Sequence, residues 1–149
     1  MRVPLLRPAL LALLTVAPAH AGQAPLPGPI PADVLDVLDG DTIAVRATIW
    51  LGQAVETHVR LSGIDAPEMR APCAEEKAKA EAARDLARRL LADGHARLLE
   101  VQADKYGGRV RARVQTSAGA DLSQMLLDAG LARPYRGEKR QPWCEGAAG

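Results

Sequence analysis

Asp36 to Glu68 reads DVLDGDTIAVRATIWLGQAVETHVRLSGIDAPE. Two acidic turns, Asp39-Gly40-Asp41-Thr42 and Asp65-Ala66-Pro67-Glu68, bracket two runs of alternating apolar and polar residues. Ile43, Val45, Ala47 and Ile49 alternate with Ala44, Arg46, Thr48 and Trp50, as in a half-buried strand. Gly52-Gln53 turns the chain. Val55, Thr57, Val59 and Leu61 then face one side, with Glu56, His58 and Arg60 on the other. Upstream, Val34 to Leu38 is a short apolar run ending in Asp39-Gly40, a hairpin signal in which positive φ is expected of the glycine. Three consecutive strands with short turns make a meander.

Downstream, Ala83, Leu86, Ala87, Leu90 and Leu91 recur at helical spacing and predict a helix over Ala74 to Ala92. Pro72 precedes it, Glu75 and Glu76 suit its N-terminal end, Arg88 and Arg89 its C-terminal end, and Gly94 stops it. Leu98 to Ala103 and Val110 to Val114 read as two further strands, joined through Tyr106-Gly107-Gly108. Asp121 with Gln124 three residues on predicts a capped short helix that ends at Gly130. The tail from Ala132 shows no clear period but carries Arg133, Arg136, Lys139 and Arg140. This order predicts an α+β chain, mainly β. A five-stranded barrel of the oligonucleotide/oligosaccharide-binding (OB) type with flanking helices fits it, in competition with other small α+β folds.

The chain has 149 residues, enough for one domain. Its first 21 read as a secretory signal peptide: Arg2 and Arg7, an apolar core from Ala9 to Val16, and Ala19-His20-Ala21 as cleavage site. Residues 22–31, GQAPLPGPIP, form a proline- and glycine-rich lead-in, and the domain is expected over residues 32–144. The protein is therefore expected to be secreted or periplasmic, without a membrane span after cleavage, and monomeric. Removing the signal peptide leaves 17 Lys and Arg against 18 Asp and Glu, a net charge of −1 before histidines. Bulk charge selects no partner, so any attraction to nucleic acid must come from local clustering. Cys73 and Cys144 in an exported chain suggest one disulfide, with two free thiols as the alternative.

Asp41 and Asp65, from two adjacent loops, are candidate ligands of a hard cation, helped by a backbone carbonyl near Ala66. Glu68 is a candidate to orient or deprotonate a water beside it. Asp and Glu are also ordinary turn and surface residues, and spacing alone favours that plainer reading. Arg60 lies on the polar face of its strand. Arg109, Arg111 and Arg113 share one face, and parity does not choose among them as the partner guanidinium for a phosphate. Tyr106 is one of two tyrosines in a chain without phenylalanine, and could stack on a base. His58 reads as a plain strand histidine.

Together these residues resemble the staphylococcal nuclease (thermonuclease) family. The matching pieces are Val37-Leu38-Asp39-Gly40-Asp41-Thr42, Arg60-Leu61 followed by Ile64-Asp65-Ala66-Pro67-Glu68, Asp104-Lys105-Tyr106-Gly107, and Leu126 to Ala132, across residues 32–136. The resemblance implies an OB barrel and a Ca²⁺-dependent phosphodiesterase acting on DNA and RNA. It implies Ca²⁺ held by Asp41, Asp65 and the Ala66 carbonyl, with Glu68 activating water and Arg60 binding phosphate. Family members usually have Tyr-Gly-Arg where this chain has Tyr106-Gly107-Gly108-Arg109. If a bulge absorbs the extra glycine, Arg109 becomes the second catalytic arginine. Lys105, Tyr106 and Tyr135 are the expected substrate contacts. A catalytically silent OB module that binds nucleic acid or another ligand is the alternative.

Overall fold

The computed structural model describes residues 23–144; the signal-peptide stretch lies outside them. Strands β1 (Ile30–Val37), β2 (Thr42–Trp50) and β3 (Gln53–Leu61) form the meander. They are followed by the short β4 (Ile64–Asp65) and helix α1 (Ala74–Leu90). Strands β5 (His95–Ala103) and β6 (Arg109–Thr116), helix α2 (Leu122–Asp128) and the two-residue β7 (Arg133–Pro134) complete the chain. The strands close a barrel in the order β1-β2-β3-β6-β5, with β3 and β6 parallel, and β4 pairs with β7 outside it. This is an α+β, five-stranded OB barrel with two helices. Among the described residues no helix is long and apolar enough to cross a membrane.

Alternation in the sequence correctly marks the barrel interior only where the strands have neighbours on both sides. Ile43, Val45, Val59, Leu61, Leu98, Ala112 and Val114 are buried in the core. Ile49 and Val55, in phase with them, are 55% and 44% exposed. Among the described residues, β2 beyond Ala47 and β3 before His58 pair only with each other, so the hairpin outruns the barrel and no second layer of described residues covers it. Trp50 and Leu51 at its tip are exposed for the same reason.

Gly40 is needed for a reason other than the expected one. Its φ is not in the left-handed region. A Cβ there would meet the Ala83 Cβ at 2.6 Å and the Ala66 Cβ at 3.1 Å. The first acidic turn can therefore lie flat against α1 and the second acidic turn, which brings Asp41 beside Asp65. Ala80, Ala83 and Ala87 make this close face of α1, all with zero exposure.

The barrel also takes in more of the proline-rich stretch than composition predicts. Leu26 exchanges backbone hydrogen bonds with Val101 at 2.9 and 2.8 Å, and β1 starts at Ile30. α1 ends two residues earlier than its apolar spacing predicts, with Gly94 at φ +78 closing the turn through its N–H to the Leu91 carbonyl. α2 carries half of its expected capping box. Asp121 accepts the Gln124 N–H, but the Gln124 side chain donates forward to Asp128.

A disulfide joins Cys73 to Cys144. Cys73 is also the N-cap of α1. The bridge ties the chain's last described residue to the helix that follows the second acidic turn.

Candidate active site

Asp41 is fixed by backbone first. The Leu61 N–H donates to its carbonyl at 2.8 Å, which locks the first acidic turn to the end of β3. Its carboxylate then accepts from the Thr42 hydroxyl at 2.9 Å, the Ala66 N–H at 3.1 Å and Arg60 Nη1 at 2.9 Å. Burial pushes Asp41 up to about 6 despite the pull of Arg60. The same guanidinium reaches Asp65 Oδ1 through Nη2 at 3.5 Å. One arginine thus holds two buried carboxylates from two turns. Thr42, Ala66 and Arg60 come from separate parts of the Asp36–Glu68 stretch, and all three converge on the one Asp41 carboxylate.

The tail supplies what the sequence left unassigned. Arg140 Nε lies 2.7 Å from Asp65 Oδ1, Nη1 donates to Glu68 Oε1 at 2.6 Å, and Nη2 donates to the Ala66 carbonyl at 3.2 Å. Burial pulls the guanidinium's pKa down, but its bonds to Glu68 and Asp65 more than restore it, so it stays a full cation. Trp143 Nε1 donates to the other Asp65 oxygen at 3.3 Å. Arg133 stacks on the Trp143 ring, 3.7 Å from its centroid, and donates to the Pro142 carbonyl. Sequence reasoning missed Arg140 and Trp143 because the tail has no period. The signal was the cysteine pair itself: a bridge from Cys144 to Cys73 must carry the residues just before Cys144 to the loop holding Glu68.

A cavity of about 410 Å³ opens beside this cluster. Arg60, Glu68 and Arg140 line one part of it. Lys105, Tyr106, Arg109 and Tyr135 also line it. The structure therefore gathers every expected substrate-contact residue on one concave surface with Glu68. Tyr135 is positioned by its N–H bond to the Gly63 carbonyl, beside the β4–β7 pair.

Gly108 takes the extra position in the turn, at φ +76 with open space around it, and Arg109 opens β6. The irregularity in the β5–β6 ladder falls instead between Leu99 and Gln102, with Glu100 at φ 53. Arg109 packs over the Tyr106 ring and donates to Asp104 at 2.5 Å. Burial pushes the Asp104 carboxyl up, but hydrogen bonds from Arg109 and the Lys105 N–H hold it below the usual carboxylate range. Of the three arginines that parity could not separate, Arg109 and Arg111 line the cavity. Arg113 turns away to Asp121 at the start of α2. His58 lies on the strand exterior, away from the cavity.

Fold and site together define an OB-barrel protein with a carboxylate and arginine centre at one end of the barrel. Residues 58–145 match the family model described as staphylococcal nuclease homologue, more than half of the chain. The chain belongs to that family. No curated protein matches it. The matched span begins after Asp41, so the first acidic turn enters the site through the fold, by its bonds to Arg60 and Ala66.

Proposed function

We propose that the chain is an exported, Ca²⁺-dependent nuclease that hydrolyses phosphodiester bonds in DNA and RNA with little sequence specificity. The observation that carries this proposal is the Arg60 guanidinium shared by the buried carboxylates of Asp41 and Asp65. It stands at a cavity lined also by Glu68 and Arg109. Family membership supports the same chemistry.

The donor set fits a hard divalent cation. Among the described residues, Asp65 Oδ1 is a buried anionic oxygen met by two cationic groups, Arg140 Nε at 2.7 Å and Arg60 Nη2 at 3.5 Å, so its surroundings already favour positive charge there. Asp41, Asp65 and the Ala66 carbonyl would hold the ion, with water completing the shell. A bound Ca²⁺ would supply positive charge at a phosphate oxygen and help acidify a water.

Glu68 takes a proton from the attacking water as the water oxygen bonds to phosphorus. The bond to the 5′-oxygen breaks, and that oxygen takes a proton from solvent. Arg60 and Arg109 neutralise the charge gathered on the equatorial oxygens. Lys105 pairs with a neighbouring phosphate, and Tyr106 and Tyr135 offer faces for a base or sugar. Such contacts read backbone and stacking, which suits low sequence specificity and binding that weakens with salt. The Cys73–Cys144 bridge supports an oxidising compartment.

Digestion of DNA and RNA by the purified chain, with Ca²⁺ and with a chelator, tests this. Cleavage is expected only with Ca²⁺. Glu68→Gln and Arg109→Ala should each lower the rate by about 10² or more. Absence of Ca²⁺-dependent cleavage by the wild type overturns the proposal, and full activity in Arg109→Ala removes that arginine from its role. One observation favours a silent binding module: Glu68 is already paired with Arg140, and Arg109 with Asp104. Retarded migration of nucleic acid without cleavage would select that alternative.

A further inference from the structure

Arg140 is in no motif of the nuclease resemblance, yet it touches three oxygens of the proposed centre. They are Asp65 Oδ1, the Ala66 carbonyl and Glu68 Oε1. Two of these belong to the cation's proposed ligand set and the third to the proposed base. We infer that Arg140 sets the cation affinity of this site, as a tethered internal cation that competes with the divalent ion for Asp65 and Ala66. This inference rests on the cation site proposed above.

Competition follows from charge and space. A guanidinium and a divalent ion cannot share the same carboxylate oxygen and carbonyl oxygen at contact distance without strong like-charge repulsion. Occupancy of the site by the ion therefore displaces Arg140 from these oxygens. The tail opposes that displacement by holding Arg140 in place. Three residues on, Trp143 binds the other oxygen of Asp65. Cys144 is bridged to the N-cap of α1. Arg133 stacks on the Trp143 ring and donates to the Pro142 carbonyl. Holding the tail near Asp65 raises the effective concentration of the guanidinium at these oxygens.

The same displacement frees Glu68. Arg140 Nη1 lies 2.6 Å from Glu68 Oε1, so that oxygen is engaged by the guanidinium and is not open to a water. Cation entry and release of the base are then one event, so Glu68 becomes free only once the ion is bound. Arg60 also touches Asp41 and Asp65, but it does so in wild type and in Arg140 variants alike, so the difference in affinity between them reports Arg140.

Calorimetric titration of the full mature chain with Ca²⁺ alone tests the inference without measuring cleavage. Arg140→Met should bind Ca²⁺ roughly tenfold more tightly than wild type, as removal of the competitor's charge-assisted bonds implies. Arg140→Lys keeps the charge but cannot reach three oxygens at once, and should fall between them. It also serves if the Met variant folds poorly. The rise in Tm on adding saturating Ca²⁺ should be larger for both variants than for wild type. Equal affinity in wild type and both variants overturns the inference and leaves the cation site standing. Weaker binding in the variants overturns it too, and makes Arg140 a support of the site. No binding by any of the three proteins overturns the cation site itself.

Discussion

Glu76, in the first turn of α1, accepts the backbone N–H of Glu68 at 3.1 Å. Glu76 is 5% exposed, and among the described residues it has no ion-pair partner. Its other oxygen faces the disulfide sulfur of Cys144. A buried carboxylate is therefore committed to holding one loop amide, and that loop carries the proposed base.

Glu76→Ala should leave the Glu68 amide without its acceptor. A stability loss of about 1–3 kcal/mol is expected from urea unfolding. Cleavage should fall in kcat with KM little changed, since Glu68 would be misplaced while the substrate-binding residues stay where they are. Glu76→Gln keeps an acceptor oxygen and should recover most of both. An Ala variant with wild-type kcat would remove Glu76 from any positioning role.

Arg60→Met should be the most damaging arginine change for folding, because it strips a shared cation from two buried carboxylates. The expected loss is about 3 kcal/mol at neutral pH, at the low end for a broken buried pair because Asp41 can take up a proton. Asp41 already titrates near 6, above its ordinary value, so its protonated form is favoured in the folded state. Stability from that form is present at low pH and lost as pH rises through 6. With a chelator present, the gap between Arg60→Met and wild type should therefore widen from pH 5 to pH 8. Arg109→Ala, by contrast, should cost less than Arg60→Met, since Arg109 is partly exposed and the Asp104 it leaves keeps Arg111 and the Lys105 N–H. Urea midpoints across pH separate the two.

Gly40→Ala should destabilise by about 1–3 kcal/mol through overpacking against Ala83 and Ala66. The companion change Ala83→Gly removes the closest clash. Alone it should cost about 1 kcal/mol as a glycine within a helix. In the double variant the two losses should sum to less than their separate values. Simple additivity would show that the turn does not press on α1.

Reduction of Cys73–Cys144 should lower stability by about 2–5 kcal/mol, read from urea curves with and without reductant. Cys73→Ser with Cys144→Ser should match the reduced wild type. The tail should also lose protease resistance after β7, because without the covalent anchor the polar contacts of Trp143 and Arg140 are left to hold it. An unchanged digestion pattern would show that those contacts hold the tail alone.

Much of the barrel was legible because period-two alternation reports which face of a strand each residue takes. Ile43, Val45, Val59 and Leu61 were placed inward by parity and are inward. Ile49 and Val55 share that parity but are exposed, because alternation says which face a residue takes and not whether anything covers that face. Parity also could not separate Arg109, Arg111 and Arg113. The position of Asp121, known only from the fold, draws Arg113 elsewhere.

By itself the sequence determined the kinds of groups available and their order: two acidic turns around a strand pair, an arginine before the second turn, a tyrosine and arginine further on, and two cysteines. These are local properties, carried by residue type and spacing; with the strand and helix order they allowed an OB barrel among other small α+β folds, and the family resemblance singled it out. Only the tertiary structure decided which groups meet. It joined Asp41 to Asp65 through Arg60, and it required Gly40 for close approach rather than for positive φ. It also brought Arg140 and Trp143 onto Asp65 from 75 and 78 residues away. Such contacts depend on where a closed barrel and a disulfide set the end of a chain. No period in the tail encodes that position, because the tail is held by its partners and not by its own backbone pattern.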